Sequence, residues 1–115
     1  MDDRAGTVVL LASDRVGQGD DELGALLMRS FLKTVAAREE APDAIVCVNG
    51  GVRLTTEGSP VLADLAVLAG RGVKVLSCGT CLDWFHAKDR LLVGEPTNMA
   101  AIVDLLSTAL RVIRP

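Results

Sequence analysis

Val73-Lys74-Val75-Leu76-Ser77-Cys78-Gly79-Thr80-Cys81 opens as a short apolar run and closes on turn and helix-start residues. Residues 73–77 predict a strand, and Cys78 to Cys81 turns the chain into a short helix through Trp84 and Phe85. The same rhythm recurs on both sides. Thr7 to Ala12 (TVVLLA) predicts the first strand, followed by a polar, Gly-rich loop, Ser13 to Asp20, and a helix from about Asp21 to Glu39. Helical spacing places Leu23, Leu27, Phe31 and Val35 on that helix's apolar face, flanked by Leu26 and Met28. Pro42 and Asp43 turn the chain into a second strand, Ala44 to Val48, and a loop from Asn49 to Gly58 follows. Ser59 as N-cap with Pro60 at the first helical position signals the next helix, through Leu62, Leu65, Ala66 and Ala69 to Gly70–Gly72.

Beyond the central segment, Leu91 to Val93 predicts a fourth strand with the loop Gly94 to Asn98 after it. A last helix carries Ile102, Leu105, Leu106 and Ala109, and Arg111 to Arg114 adds an edge strand. Strands alternating with helices imply a mostly parallel sheet of four or five strands, covered on both faces as a three-layer α/β/α sandwich. The 115 residues suffice for one such domain, spanning 1–115.

Composition narrows the function. Half of the chain is hydrophobic but only 3% is aromatic, so the core is aliphatic, as in buried parallel sheets. A net charge of −3 leaves no basic stripe for phosphates, which argues against a nucleic-acid partner. The start, Met1-Asp2-Asp3-Arg4, is acidic where a secretory signal wants basic residues, and no apolar run approaches the roughly 20 residues of a membrane span. Three cysteines, an odd number, suggest reduced thiols, so the expected location is cytoplasmic.

In open parallel sheets ligands gather at the carboxyl ends of strands. By this reading four loops share that edge: Ser13 to Asp20, Asn49-Gly50-Gly51, Cys78-Gly79-Thr80-Cys81 and Gly94 to Asn98. Any one glycine there is most simply a turn residue, whereas four such loops on one edge suggest a site. Within it Cys81 stands out. With Thr80 as helix cap, Cys81 falls in the first helical turn, where free N–H groups and the helix dipole lower a thiol pKa from ~8.5 toward neutrality. Thr80 and Asp83 form an approximate capping box, while the Asp83 carboxylate works against that lowering. Cys78 ends a buried strand, where a core role and a partner role both stand open; Cys47, between Val46 and Val48, reads as inert core.

Sharper motifs fail on spacing. Gly17 and Gly19 are followed by Glu22 where a dinucleotide fingerprint wants a third glycine. The single CxxC and single His86 support neither a four-ligand zinc site nor any cofactor within one chain. Trp84 and Phe85 are adjacent on a short helix, so one of them covers the cysteine, faces another subunit, or is simply a half-exposed aromatic.

Several ordered segments resemble a known family. They are Ser13-Asp14 with Gly17-x-Gly19-Asp20, Asn49-Gly50-Gly51-Val52-x-Leu54-Thr55-Thr56-Glu57-Gly58-Ser59-Pro60-Val61, Cys78-Gly79-Thr80-Cys81-Leu82-Asp83, and Val93-Gly94-Glu95-x-Thr97-Asn98-Met99. Together they are similar to the DsrE-like domain of the YedF-type, sulfurtransferase-like selenium metabolism proteins, within the DsrE/DsrF family. That resemblance implies sulfur relay, in which a cysteine carries a persulfide between donor and acceptor proteins, in a homo-oligomer. It places the carrier at Cys78 or Cys81, with Cys81 the better match. Asn49, Gly50 and Gly51 would then hydrogen-bond the carried group, with Ser13, Asp14, Gly17, Gly19, Gly79, Thr80 and Asn98 around the pocket. Cys78 would resolve the persulfide as a Cys78–Cys81 disulfide. The chain departs from the pattern in two ways. It has no Cys-Pro carrier segment of the kind YedF-type proteins usually add, so it is either a truncated or a stand-alone version that needs a separate partner, a small Cys-Pro sulfur carrier being one candidate, and His86 stands where a glycine is expected. The rival reading is a non-catalytic small-ligand-binding or oligomeric assembly module of the same fold, and a metal shared between subunits by Cys78, Cys81 and His86 is a third.

Overall fold

The computed structural model describes residues 6–115; the acidic start at residues 1–4 lies outside them. Strand β1 (Thr7–Leu11) is followed by helix α1 (Asp21–Ala37), β2 (Ala44–Cys47), a 3₁₀ helix (Asn49–Leu54), α2 (Leu62–Gly70), β3 (Lys74–Cys78), α3 (Gly79–Trp84), a second 3₁₀ turn (Lys88–Arg90), β4 (Glu95–Thr97), α4 (Met99–Thr108) and β5 (Arg111–Ile113). The strands form one parallel sheet in the order β4-β3-β2-β1-β5. The α/β class with a parallel sheet between helices therefore holds.

The layering follows from that order. From β1 to β4 the chain steps one way across the sheet, then reverses to place β5 beside β1. Right-handed crossovers put helices of opposite step on opposite faces. Accordingly Val9, Leu11, Ile45 and Cys47 pack with Met28 and Leu32 of α1, Leu65 and Leu68 of α2, and Leu82 of α3. Val8, Ala44, Val46 and Cys78 face the other way, onto Ile102 of α4. Central β2 is buried on both faces, which is why its sequence, AIVC, is apolar without alternation. Asp43 ties the strand starts together: its carboxylate accepts the Thr7 N–H at 2.8 Å, and its peptide oxygen accepts from Lys74 at 3.1 Å.

Five readings of the sequence change. The buried stripe of α1 is Gly24, Met28 and Leu32, with Phe31, Val35 and Ala36 beside it, while Leu23 and Leu27 are 51% and 41% exposed. Apolar residues cover much of this helix's circumference, so spacing alone does not choose the face. The closest approach, where Arg15 and Val16 lie over Gly24, does. The helix also stops at Ala37 rather than Glu39, its end held by the Arg71 guanidinium, which donates to the Ala36 and Glu39 carbonyls.

The fourth strand is Glu95–Thr97, not Leu91 to Val93. Leu91 instead makes an isolated antiparallel bridge to Thr56, and Leu92 donates to the Thr55 carbonyl at 2.9 Å. Gly94 (φ +78°) then swings the chain to the sheet edge, passing so near β3 that a Cβ would lie 2.1 Å from the Val75 oxygen. An edge strand tolerates Pro96 and needs no apolar run, so hydrophobicity did not mark it. Gly94 consequently precedes the strand, and only Asn98 of that loop lies at the carboxyl edge.

Ser59 caps the turn before α2 rather than the helix: its hydroxyl accepts the Val61 N–H at 3.1 Å, and α2 begins at Leu62. Finally, α3 starts at Gly79 with Cys78 as N-cap and no side-chain cap, so Thr80 and Asp83 form no capping box.

Candidate functional site

The end of β3 runs into α3 without a loop, which makes Cys78 the last strand residue and Cys81 the third residue of the helix. Cys78 is 2% exposed and packed against Val8, Ala44, Val46 and Ile102. Cys81 is half-buried, touching both core clusters at the point where the sheet's carboxyl edge opens to solvent. Its Sγ accepts the backbone N–H of Asn49 at 3.1 Å.

That contact depends on the 3₁₀ helix at the end of β2. Asn49 adopts φ +50°, a left-handed conformation that asparagine tolerates better than most residues. Two residues on, Gly51 lies against the end of β1, where a Cβ would fall 2.0 Å from the Leu11 carbonyl oxygen. No side chain fits there, so glycine lets the 3₁₀ helix lie close enough to present the Asn49 N–H to sulfur.

A cavity of about 210 Å³ opens over this sulfur, lined by Asn49, Thr80, Cys81, Trp84 and Phe85. Trp84 is 80% exposed, while Phe85 is half-buried and carries the Arg53 guanidinium 4.6 Å above its ring. Arg53 in turn reaches the Asp14 carboxylate at 4.0 Å.

The cavity thus gathers Asn49, Thr80 and Cys81 from the residues singled out in sequence, with Cys78 beneath. Gly50 lies beside the Ser13 and Asp14 backbone, and Gly79 packs close to the Thr97 carbonyl. Asn98 is engaged as the N-cap of α4, its Oδ1 accepting from Ala101. Ser13 and Gly17 line a different crevice of about 320 Å³ at the ends of β1 and β5, with Arg15, Gln18 and Arg114. Gly19 is exposed at the approach to α1. Trp84 and Phe85 complete the cavity wall, and Arg53 lies over the Phe85 ring. The Trp84-Phe85 pair signalled it in the sequence; nothing marked Arg53.

Burial pushes the Cys81 thiol above its ordinary value, the Asn49 N–H pulls it down, and the neighbouring Cys78 thiol pushes it up again. The net direction is upward, so the thiolate favoured by the helix-start reading is not the resting form. Cys47, wholly buried, is pushed up to about 12 by desolvation alone, in keeping with inert core. Among the described residues no three of His, Cys, Asp or Glu converge on a metal position, and no helix is long and apolar enough to cross a membrane.

Solved structures place this architecture. The chain matches the protein of unknown function MTH1491 from Methanobacterium thermoautotrophicum at 25% identity and a TM-score of 0.68, over 96% of this chain and 99% of that one. It matches the ychN protein from E. coli, a DsrE-like fold protein, at 16% identity and a TM-score of 0.64, again over 96% and 99%. The fold is DsrE-like. No protein-family model matches the chain, and no curated protein does. On the strand-to-helix turn after β3 this chain sets a close Cys78–Cys81 pair.

Proposed function

We propose that this protein carries sulfur as a persulfide on Cys81 and passes it between partner proteins. The observation that carries the reading is a half-exposed thiol at the floor of a cavity, held by the Asn49 N–H at 3.1 Å, with a second thiol behind it. In the transfer, the Cys81 sulfur attacks the terminal sulfur of a donor persulfide. The donor S–S bond breaks, the Cys81 proton ends on the departing donor thiol, and Cys81 holds the persulfide anion. The Asn49 N–H then faces a negative sulfur group, which a donor stabilises more than it does a neutral thiol. Handing on to an acceptor thiol reverses the step. Alternatively the Cys78 thiol attacks Cys81 Sγ and forms the Cys78–Cys81 disulfide, and the outer sulfur leaves with the Cys78 proton as HS⁻. Selenium in place of sulfur follows only from the YedF resemblance.

The partners implied are a sulfur donor and an acceptor, a small Cys-Pro carrier among the candidates. The exposed apolar residues Met99, Val103, Leu110 and Val112 support a homo-oligomer, which sedimentation at micromolar concentration would reveal.

The test is intact-protein mass spectrometry after incubation with a cysteine desulfurase and cysteine, comparing the parent with Cys81→Ser and Cys78→Ser. Added sulfur that reduction removes and that only Cys81→Ser lacks is the expected result; equal loading of Cys81→Ser would sink the assignment. The raised thiol pKa favours a second reading, a binding or assembly module in which Cys81 only packs. Alkylation separates the two. A carrier thiol of raised pKa reacts with iodoacetamide faster as pH climbs, about tenfold per unit below its pKa; a packing thiol stays unreacted until the protein unfolds.

A further inference from the structure

We propose that the donor served by Cys81 is a protein that docks on Trp84 and Arg53, rather than a free small-molecule persulfide; the inference rests on the carrier reading above. The cavity over the sulfur holds about 210 Å³, below the ~300–1,000 Å³ of pockets that enclose a whole small ligand. It has room for a persulfide-bearing side chain and little else. Whatever carries that side chain must rest on the rim.

The rim is built for protein contact. Trp84 projects from the end of α3, 80% exposed, while also lining the cavity. An indole left in water beside a reactive sulfur contributes no packing to the fold, and burying it against a partner removes a large apolar surface at low entropic cost. The Arg53 guanidinium lies 4.6 Å over the Phe85 ring, and among the described residues its ion pair is a 4.0 Å contact to Asp14. Its N–H edges are thus free to take a carboxylate from outside. Tryptophan and arginine are among the residue types most enriched where binding energy concentrates. The fitting partner is a protein loop that inserts a cysteine persulfide between them and offers an acidic residue to Arg53. Asp83 and Lys88 pair with each other at 3.4 Å, which leaves Arg53 as the cation offered to that acidic residue.

The experiment loads the full-length protein from two sources: a desulfurase charged with persulfide, and inorganic polysulfide, which needs no docking. Trp84→Ala is expected to slow loading from the desulfurase at least tenfold more than it slows loading from polysulfide, and Arg53→Gln is expected to act in the same direction. Because Trp84 is exposed, an unchanged urea midpoint confirms that the variant is folded. Equal slowing from both sources, no slowing from either, or a parent that accepts polysulfide sulfur but none from the protein donor would each overturn the docking surface. A parent that takes no sulfur on Cys81 from polysulfide would instead remove the carrier reading itself.

Discussion

Replacing Gly51 with alanine probes the contact that shapes the site. The new Cβ would sit 2.0 Å from the Leu11 carbonyl oxygen and 2.9 Å from its carbon, and both are backbone atoms of a strand bonded on either side. Ordinary contact begins near 3.4 Å, so the 3₁₀ helix and the end of β1 must part by about 1.4 Å. Forcing a methyl group into a packed site costs about 1–3 kcal/mol, and rigid neighbours on both sides place this case at the upper end. At a urea m-value of about 1–3 kcal/mol/M the midpoint falls by roughly 1 M or more. The same displacement carries Asn49 away from Cys81 and removes the N–H that lowers the thiol's pKa. Cys81 alkylation, followed against pH, should therefore shift to higher pH in the variant. Gly50→Ala is the control, because its nearest neighbours lie at 3.7 Å and a methyl group fits. If Gly51→Ala keeps both the parental midpoint and the parental thiol titration, the close approach does not position the site.

Two further outcomes test the core. Thr55→Val leaves the Ser77 hydroxyl buried without its 2.7 Å partner and should cost about 1–3 kcal/mol; adding Ser77→Ala should recover part of that loss, and strictly additive urea midpoints would show that the pair is not coupled. Cys47 keeps its proton up to about pH 12 when folded, against 9.0 for the free thiol. Above pH 9 only the unfolded chain releases that proton, so stability falls with rising pH, by up to about 1.4 kcal/mol per unit from this group, and is unaffected below it. Urea midpoints at pH 8 and 10.5 should therefore converge in Cys47→Ala relative to the parent, and an identical alkaline loss in both would refute the assignment.

The interior strands were legible because burial on both faces leaves a mark: Thr7–Leu11, Ala44–Cys47 and Lys74–Cys78 are continuous apolar runs or nearly so. The β4 edge is not written that way. Glu95-Pro96-Thr97 pairs on one side only and faces water, so no hydrophobic pattern is required, and the apolar Leu91-Leu92-Val93 drew the strand prediction toward itself. The face of α1 failed for the opposite reason, an excess of apolar residues. Leu23, Leu26 and Leu27 are as hydrophobic as Met28 and Leu32, and only the close passage of the Arg15–Val16 loop over Gly24 decides which side turns inward.

The site was legible along one axis and not the other. A sequence tells which end of its strand a loop leaves, and three of the loops singled out do leave the carboxyl edge. It does not tell how far apart they lie along that edge, because lateral distance is set by strand order. Adjacent strands are ~4.8 Å apart, so the end of β1 stands roughly 10 Å from the end of β3, and β5 one strand further. Ser13 and Gly17 therefore furnish the crevice between β1 and β5, where the chain reverses its direction across the sheet, while Cys81 sits at the far side of β2. What joins the two regions is Arg53, bound to Asp14 on one side and stacked on Phe85 on the other. A long side chain spanning two loops has no spacing to betray it. It becomes visible only once β2 is known to lie between β1 and β3, which brings its own loop, with Asn49, Gly51 and Arg53, between the other two.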